Sequence, residues 1–281
     1  CVGEAGAKDI LQTGIKSPNF AAKAQTLATM KKPLLLLLLA GAISAASAQP
    51  RIIAHRGHWR TAGSAQNSLA SFVKADSLGV YGSEMDVWLT ADGKLIVNPD
   101  RIYRGIDMER STARTIRSIV LPNGERIPTL DEYLRTVRAH PGTRLVLELK
   151  SLADPKREDE AAAKIVRKIR RYGLEERTDY IAFSINACLA FRKEAPEARV
   201  WYLEGDLAPH RIAPLGFAGI DYSQEILHAH PEWVDEAHAQ GLEVNVWTVD
   251  TEEEMRYFIA QGVDFITTNE PELLRRILAE E

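Results

Sequence analysis

The chain has 281 residues, of which 45% are hydrophobic and 26% charged, with 35 Lys and Arg against 39 Asp and Glu and a formal net charge of −4. Charges of both signs are interspersed, which excludes the concentrated basic footprint of a nucleic-acid-binding protein, and the apolar content excludes a chain too polar to build a core. Of its two cysteines, Cys1 and Cys188, only Cys188 lies in the folded part, so no intramolecular disulfide is expected there.

Residues 1–29 show no hydrophobic period and are expected to be an upstream segment outside the mature protein. Residues 30–48 have the layout of a signal peptide. Met30-Lys31-Lys32 is the basic start, Pro33 to Ala45 the leucine-rich run, and Ala46-Ser47-Ala48 the small-residue cleavage site. A periplasmic or secreted protein starting at Gln49 is therefore expected. The apolar run is short for a membrane span, and no cysteine ends it, so no stable membrane anchor is expected. Residues 49–281 have the length of one compact (β/α)8 barrel and read as a single domain.

Strand-like runs at 51–55, 83–90, 144–150, 180–184, 198–203, 219–223, 243–249 and 264–268 alternate with helical patterns at 68–78, 129–139, 158–172, 187–194, 231–240, 252–261 and 271–278. That alternation implies a parallel sheet. Chemistry-bearing residues stand at the ends of several strands, which favours a closed TIM-type (β/α)8 barrel over an open doubly wound sheet. Between 100 and 127 lies the longest irregular stretch, rich in arginine and read as a solvated excursion that brings an arginine near the site.

The first run delivers His55 and Arg56 at its end, where Gly57 permits a sharp exit. In Glu84-Met85-Asp86-Val87-Trp88 the two-residue period of a strand puts Glu84, Asp86 and Trp88 on one face. Leu145 to Lys150 repeats the arrangement, with Glu148 and Lys150 on one face of a buried strand. Three buried carboxylates that converge need a cation or a shared proton. If a cation, all-oxygen ligation selects Ca2+ or Mg2+ over zinc.

The runs Ile52-Ile53-Ala54-His55-Arg56-Gly57, Gln66-Asn67-Ser68, Glu84-Met85-Asp86, Ile127-Pro128-Thr129-Leu130, Leu147-Glu148-Leu149-Lys150 and Val246-Trp247-Thr248-Val249 follow one another in the order seen in a known family. From Arg51 onward the chain resembles the glycerophosphodiester phosphodiesterases, TIM-barrel enzymes similar to phosphatidylinositol-specific phospholipase C. The resemblance implies hydrolysis of a small-molecule glycerophosphodiester to glycerol 3-phosphate and an alcohol. It also implies one divalent metal ion held by acids matching Glu84, Asp86 and Glu148, with His55 as one of two acid/base histidines. Arg56 is expected beside it in the catalytic set, as a fork on phosphate or in an ion pair with a metal ligand. Lys150 and Trp247 are expected to contact substrate, as a point charge and an apolar wall; ion pairing and core packing are their alternatives. Asn67 is expected to position His55 or the phosphate, or else to cap the helix that follows.

Two positions depart from the family's pattern. The second histidine, which precedes an aspartate after the second strand, is replaced by Pro99 before Asp100, and proline cannot move a proton. His58 is the nearest surrogate. The usual glutamate before Asn67 is Gln66, which keeps the shape and loses the charge. A catalytically impaired relative that still binds metal and phosphodiester is thus the alternative function.

Overall fold

The computed structural model describes residues 49–280; the expectations for residues 1–29 and 30–48 fall outside the described residues. Eight parallel strands form the barrel: β1 (Arg51–Ala54), β2 (Gly82–Leu89), β3 (Arg144–Leu149), β4 (Thr178–Ala182), β5 (Val200–Tyr202), β6 (Gly219–Ser223), β7 (Glu243–Trp247) and β8 (Phe265–Thr268). Closure occurs at β1, where Ala54 stands opposite Thr268 of β8 on one side and Ser83 of β2 on the other. The strand Leu95–Val97 folds back antiparallel on β2.

Side-chain alternation along each strand divides the core in two. Met85, Val87 and Leu89 of β2 and Leu145, Leu147 and Leu149 of β3 face the surrounding helices and are fully buried. Ile53, Val146, Ile181, Trp201 and Phe265 fill the inside of the barrel. Burial on both faces is what lets parallel strands read as almost continuous apolar runs.

The helices follow the periodic segments, with ends set by capping chemistry. Helix Pro155–Tyr172 starts three residues before the predicted 158 because Asp154 accepts from the Arg157 N–H and Pro155 occupies its first turn. Short helices at Ala113–Ile116, Pro209–Ile212 and Gln224–Ala229 have no counterpart in the sequence pattern, since four to six residues cannot display a helical period.

The stretch 100–127 is more ordered than predicted. It carries a small ribbon, Ile102–Tyr103 with Ile106–Asp107, and Met108, Ala113, Ile116, Ile119 and Leu121 build a second core over Trp88 and Ile96. Two of its arginines form ion pairs there: Arg101 with Asp107 and Glu109, and Arg117 with Glu132 of the helix that follows. None of them lines the pocket described below, contrary to the expectation of an arginine near the site.

Glu132 joins this excursion to the barrel. It closes a capping box with Thr129 at the start of helix Leu130–Ala139 and receives both terminal nitrogens of Arg117. The Arg117 hydrogen bonds hold its carboxyl down to about 2 from the usual 4.5. A depressed carboxylate pKa stabilises the fold above the unfolded value and loses that contribution as pH falls toward the folded one. Glu132→Gln is therefore expected to cost about 1 kcal/mol at neutral pH, a figure kept low because the pair is partly exposed. The deficit relative to wild type should shrink between pH 4.5 and 2 in urea melts; a pH-independent deficit would contradict the assignment. Among the described residues no helix is long and apolar enough to cross a membrane.

Candidate active site

The site lies at the carboxyl ends of the barrel strands. Where β1 ends, Gly57 has φ +77°, and a Cβ there would lie 2.4 Å from Ser71 Oγ, so only glycine fits the turn. Arg56 just before it also takes a left-handed conformation, φ +57°, which costs a side-chain-bearing residue about 1–2 kcal/mol. In that conformation its backbone N–H donates to Glu84 Oε2 at 2.7 Å. The strained turn is thereby tied to the first acid of β2.

Register brings the other acids together. Asp86 of β2 stands directly opposite Glu148 of β3, and Glu84 is one inward position below. One oxygen from each of Glu84, Asp86 and Glu148 lies within 4.8 Å of the others, and all three residues are buried. Burial raises Glu84 well above the ordinary carboxylate range, and its neighbours Asp86 and Glu148 add to this. Burial likewise pushes Glu148 up to about 7, against the pull of Lys150. Burial would raise Asp86 too, but Lys150, Arg56 and the Asn67 amide outweigh it and hold that carboxyl below its usual value. Glu84 Oε1 is buried with no hydrogen-bond partner. An orphaned carboxylate oxygen facing two further acids is a donor set that suits a hard divalent cation, which would hold all three groups ionised.

Two cations adjoin the acids. Lys150 Nζ lies 2.7 Å from Glu148 and 3.2 Å from Asp86, and Arg56 Nε lies 3.6 Å from Asp86. The Arg56 fork is held by Gln66, whose Oε1 accepts from Nη1 at 2.7 Å. Both cations thus form the internal ion pairs that were one of their two predicted roles. They also line a pocket of about 140 Å³ together with His55, Glu84, Glu148, Phe183, Asp221 and Trp247.

The family pattern described as the Glycerophosphoryl diester phosphodiesterase family matches residues 55–273. A crystal structure of a glycerophosphodiester phosphodiesterase from Parabacteroides distasonis shares 43% identity and superimposes with a TM-score of 0.81, covering 83% of this chain and 98% of that one. This chain belongs to that family. A glycerophosphodiester phosphodiesterase of Caldanaerobacter subterraneus is 29% identical over 242 residues, which is 79% of this chain and 95% of the relative. The crystal structure of an Agrobacterium tumefaciens glycerophosphodiester phosphodiesterase matches at 25% identity with a TM-score of 0.65, over 81% of this chain and 99% of that one. The chain is accordingly a phosphoric diester hydrolase with a TIM-barrel fold.

Within this phosphodiesterase the remaining predicted residues separate by position. Trp247 forms a pocket wall, set edge-on to Phe183 at 5.6 Å and fixed by its Nε1–H on the Asp221 carbonyl. Trp88, in contrast, packs under the 100–127 excursion and donates to the Asn98 carbonyl. Asn67 is 1% exposed; its Nδ2 donates to Asp86 at 2.6 Å and its Oδ1 accepts from the Asp86 N–H. With both ends of its amide on Asp86, Asn67 holds that acid in place. The helix cap that was its other predicted role is Ser68, which accepts from the Ser71 N–H.

His58, the nearest histidine that could stand in for a second one, is buried against the C-terminal helix with Nε2 3.7 Å from Glu272. Pro99 is buried and lines a neighbouring cavity of about 340 Å³ with Trp59, Gln66, Asn98 and Tyr103. Sequence reasoning missed Asp221 and Phe183, which line the pocket, and Asn269, which lies 2.9 Å from His55 Nδ1 with Trp59 and Asp250 hydrogen-bonded to it. Two of these, Phe183 and Asn269, follow barrel strands directly and Asp250 comes three residues after β7, so the strand-end rule that singled out His55 applies to them as well.

Proposed function

We propose that this enzyme hydrolyses glycerophosphodiesters to glycerol 3-phosphate and an alcohol, using Ca2+ or Mg2+ held by Glu84, Asp86 and Glu148, and that turnover is slow because Pro99 stands where a second proton-transfer group is needed. The observation that carries this reading is the buried cluster of three carboxylates beside two cations and a histidine in one pocket. A phosphodiester repels nucleophiles through its own charge. When bound, the cation supplies Lewis acidity that offsets that charge and helps orient the substrate.

The protein's side chains do the rest. Arg56 presents a planar fork and Lys150 a point charge to nonbridging oxygens. Burial, aided by the Arg56 charge, lowers His55 to about 4, so at neutral pH its imidazole is uncharged and able to accept a proton from the attacking group. Phe183 and Trp247 offer an apolar wall to the carbon skeleton and limit water on that side.

Incubation of the full chain with glycerophosphoethanolamine and Ca2+ or Mg2+ should release glycerol 3-phosphate and ethanolamine in equal amounts. Release of free phosphate, or no hydrolysis by wild type and no binding of the diester, would contradict the reading.

A further inference from the structure

The barrel seam places a hydrogen-bonded chain behind His55. Because Ala54 of β1 is in register with Thr268 of β8, the next residues out of the two strands, His55 and Asn269, emerge side by side although they are 214 positions apart. Asn269 Oδ1 lies 2.9 Å from His55 Nδ1 and accepts from Trp59 Nε1–H at 2.9 Å. Its other amide atom, Nδ2, donates to Asp250 Oδ2 at 2.8 Å, and its backbone N–H donates to Asp250 Oδ1 at 2.8 Å. Arg60 lies 3.3 Å from the same carboxylate.

We infer that Asn269, oriented by Asp250 and Trp59, is a positioning residue that fixes His55 as the Nδ1–H tautomer and so presents Nε2 as the proton acceptor. Donor and acceptor inventory carries the step. An ionised carboxylate only accepts and an indole N–H only donates. If the Asn269 amide were flipped, its oxygen would face Asp250 and its NH2 would face Trp59, two mismatches at once. The amide therefore has one orientation, with Oδ1 toward His55, and an oxygen there can pair only with a protonated Nδ1. In a neutral imidazole the lone pair then resides on Nε2. Trp59 also lines the neighbouring cavity, which links the shape of that cavity to the histidine.

The inference rests on the proposed role of His55 as base, and its test separates the two. Full-length protein carrying 15N-labelled histidine, with the His55 signals assigned by their loss in His55→Gln, should show Nδ1 protonated and Nε2 unprotonated at neutral pH in wild type. Asn269→Leu should give mixed tautomers and lower kcat roughly 10- to 100-fold, the usual cost of losing a group that orients a histidine, with KM little changed. Asn269→Asp keeps an oxygen toward His55 and should retain the Nδ1–H form. A wild-type His55 protonated on Nε2 would overturn the inference without any variant, as would an Asn269→Leu spectrum with an unchanged single tautomer. Should the chain hydrolyse no glycerophosphodiester, the functional reading fails while the spectrum still decides the tautomer.

Discussion

Asp86→Asn is expected to lower phosphodiester hydrolysis by about a thousand-fold or more while leaving the barrel folded. Asp86 is where the site's electrostatics converge: Lys150 and Arg56 pair with it, Asn67 grips it from both ends of an amide, and Glu148 stands opposite it. The amide has almost the same shape but cannot supply a charged ligand, so a divalent cation would keep only Glu84 and Glu148. Metal activation contributes several kcal/mol to such reactions, and each 1.36 kcal/mol is a factor of ten in rate. The check is kcat at saturating Ca2+ or Mg2+ alongside far-UV circular dichroism. A variant that keeps more than about a tenth of wild-type kcat would contradict a metal role for this residue.

Pro99→His is expected to act in the opposite direction and raise kcat on the order of a hundred- to ten-thousand-fold, the range that one positioned acid or base supplies. Position 99 is well placed for this. Its neighbour Asn98 donates its backbone N–H to the Asp86 carbonyl at 3.0 Å, which fixes the segment beside the acid cluster. Pro99 shares a cavity with Gln66, the residue that holds the Arg56 fork. A histidine at 99 would stand in that cavity, next to the segment tied to Asp86, and is expected to supply the proton that a leaving alcohol needs. Rates for the two proteins on glycerophosphoethanolamine decide the matter; equal kcat values would show that Pro99 is not what limits turnover.

The parts of the site that could be read in the sequence are those written locally. Glu84 and Asp86 share a strand face through a spacing of two, and His55-Arg56-Gly57 announces a strand end by its glycine. Glu148 and Lys150 repeat the same grammar on β3. What the sequence withheld depends on closure of the barrel. The pairing of His55 with Asn269 exists only because β1 and β8 meet, and no local pattern encodes a contact across 214 positions. The contact of Asn67 with Asp86 was hidden for a related reason: it joins the loop after β1 to β2, 19 positions along the chain, and no local pattern encodes it. The 100–127 excursion read as irregular because its strands and helix are two to four residues long and its apolar residues follow no period.

Glu84, Asp86 and Glu148 are expected to act together as one cation site. Calorimetric titration of Ca2+ or Mg2+ into chelator-treated full-length protein, with wild type and Asp86→Asn in parallel, tests this most directly. One cation per chain should bind to wild type, with proton release because Glu84 and Glu148 are raised in the cation-free protein, and binding should be lost or greatly weakened in the variant. Equal binding by both proteins, or full hydrolysis by wild type in excess chelator, would contradict it.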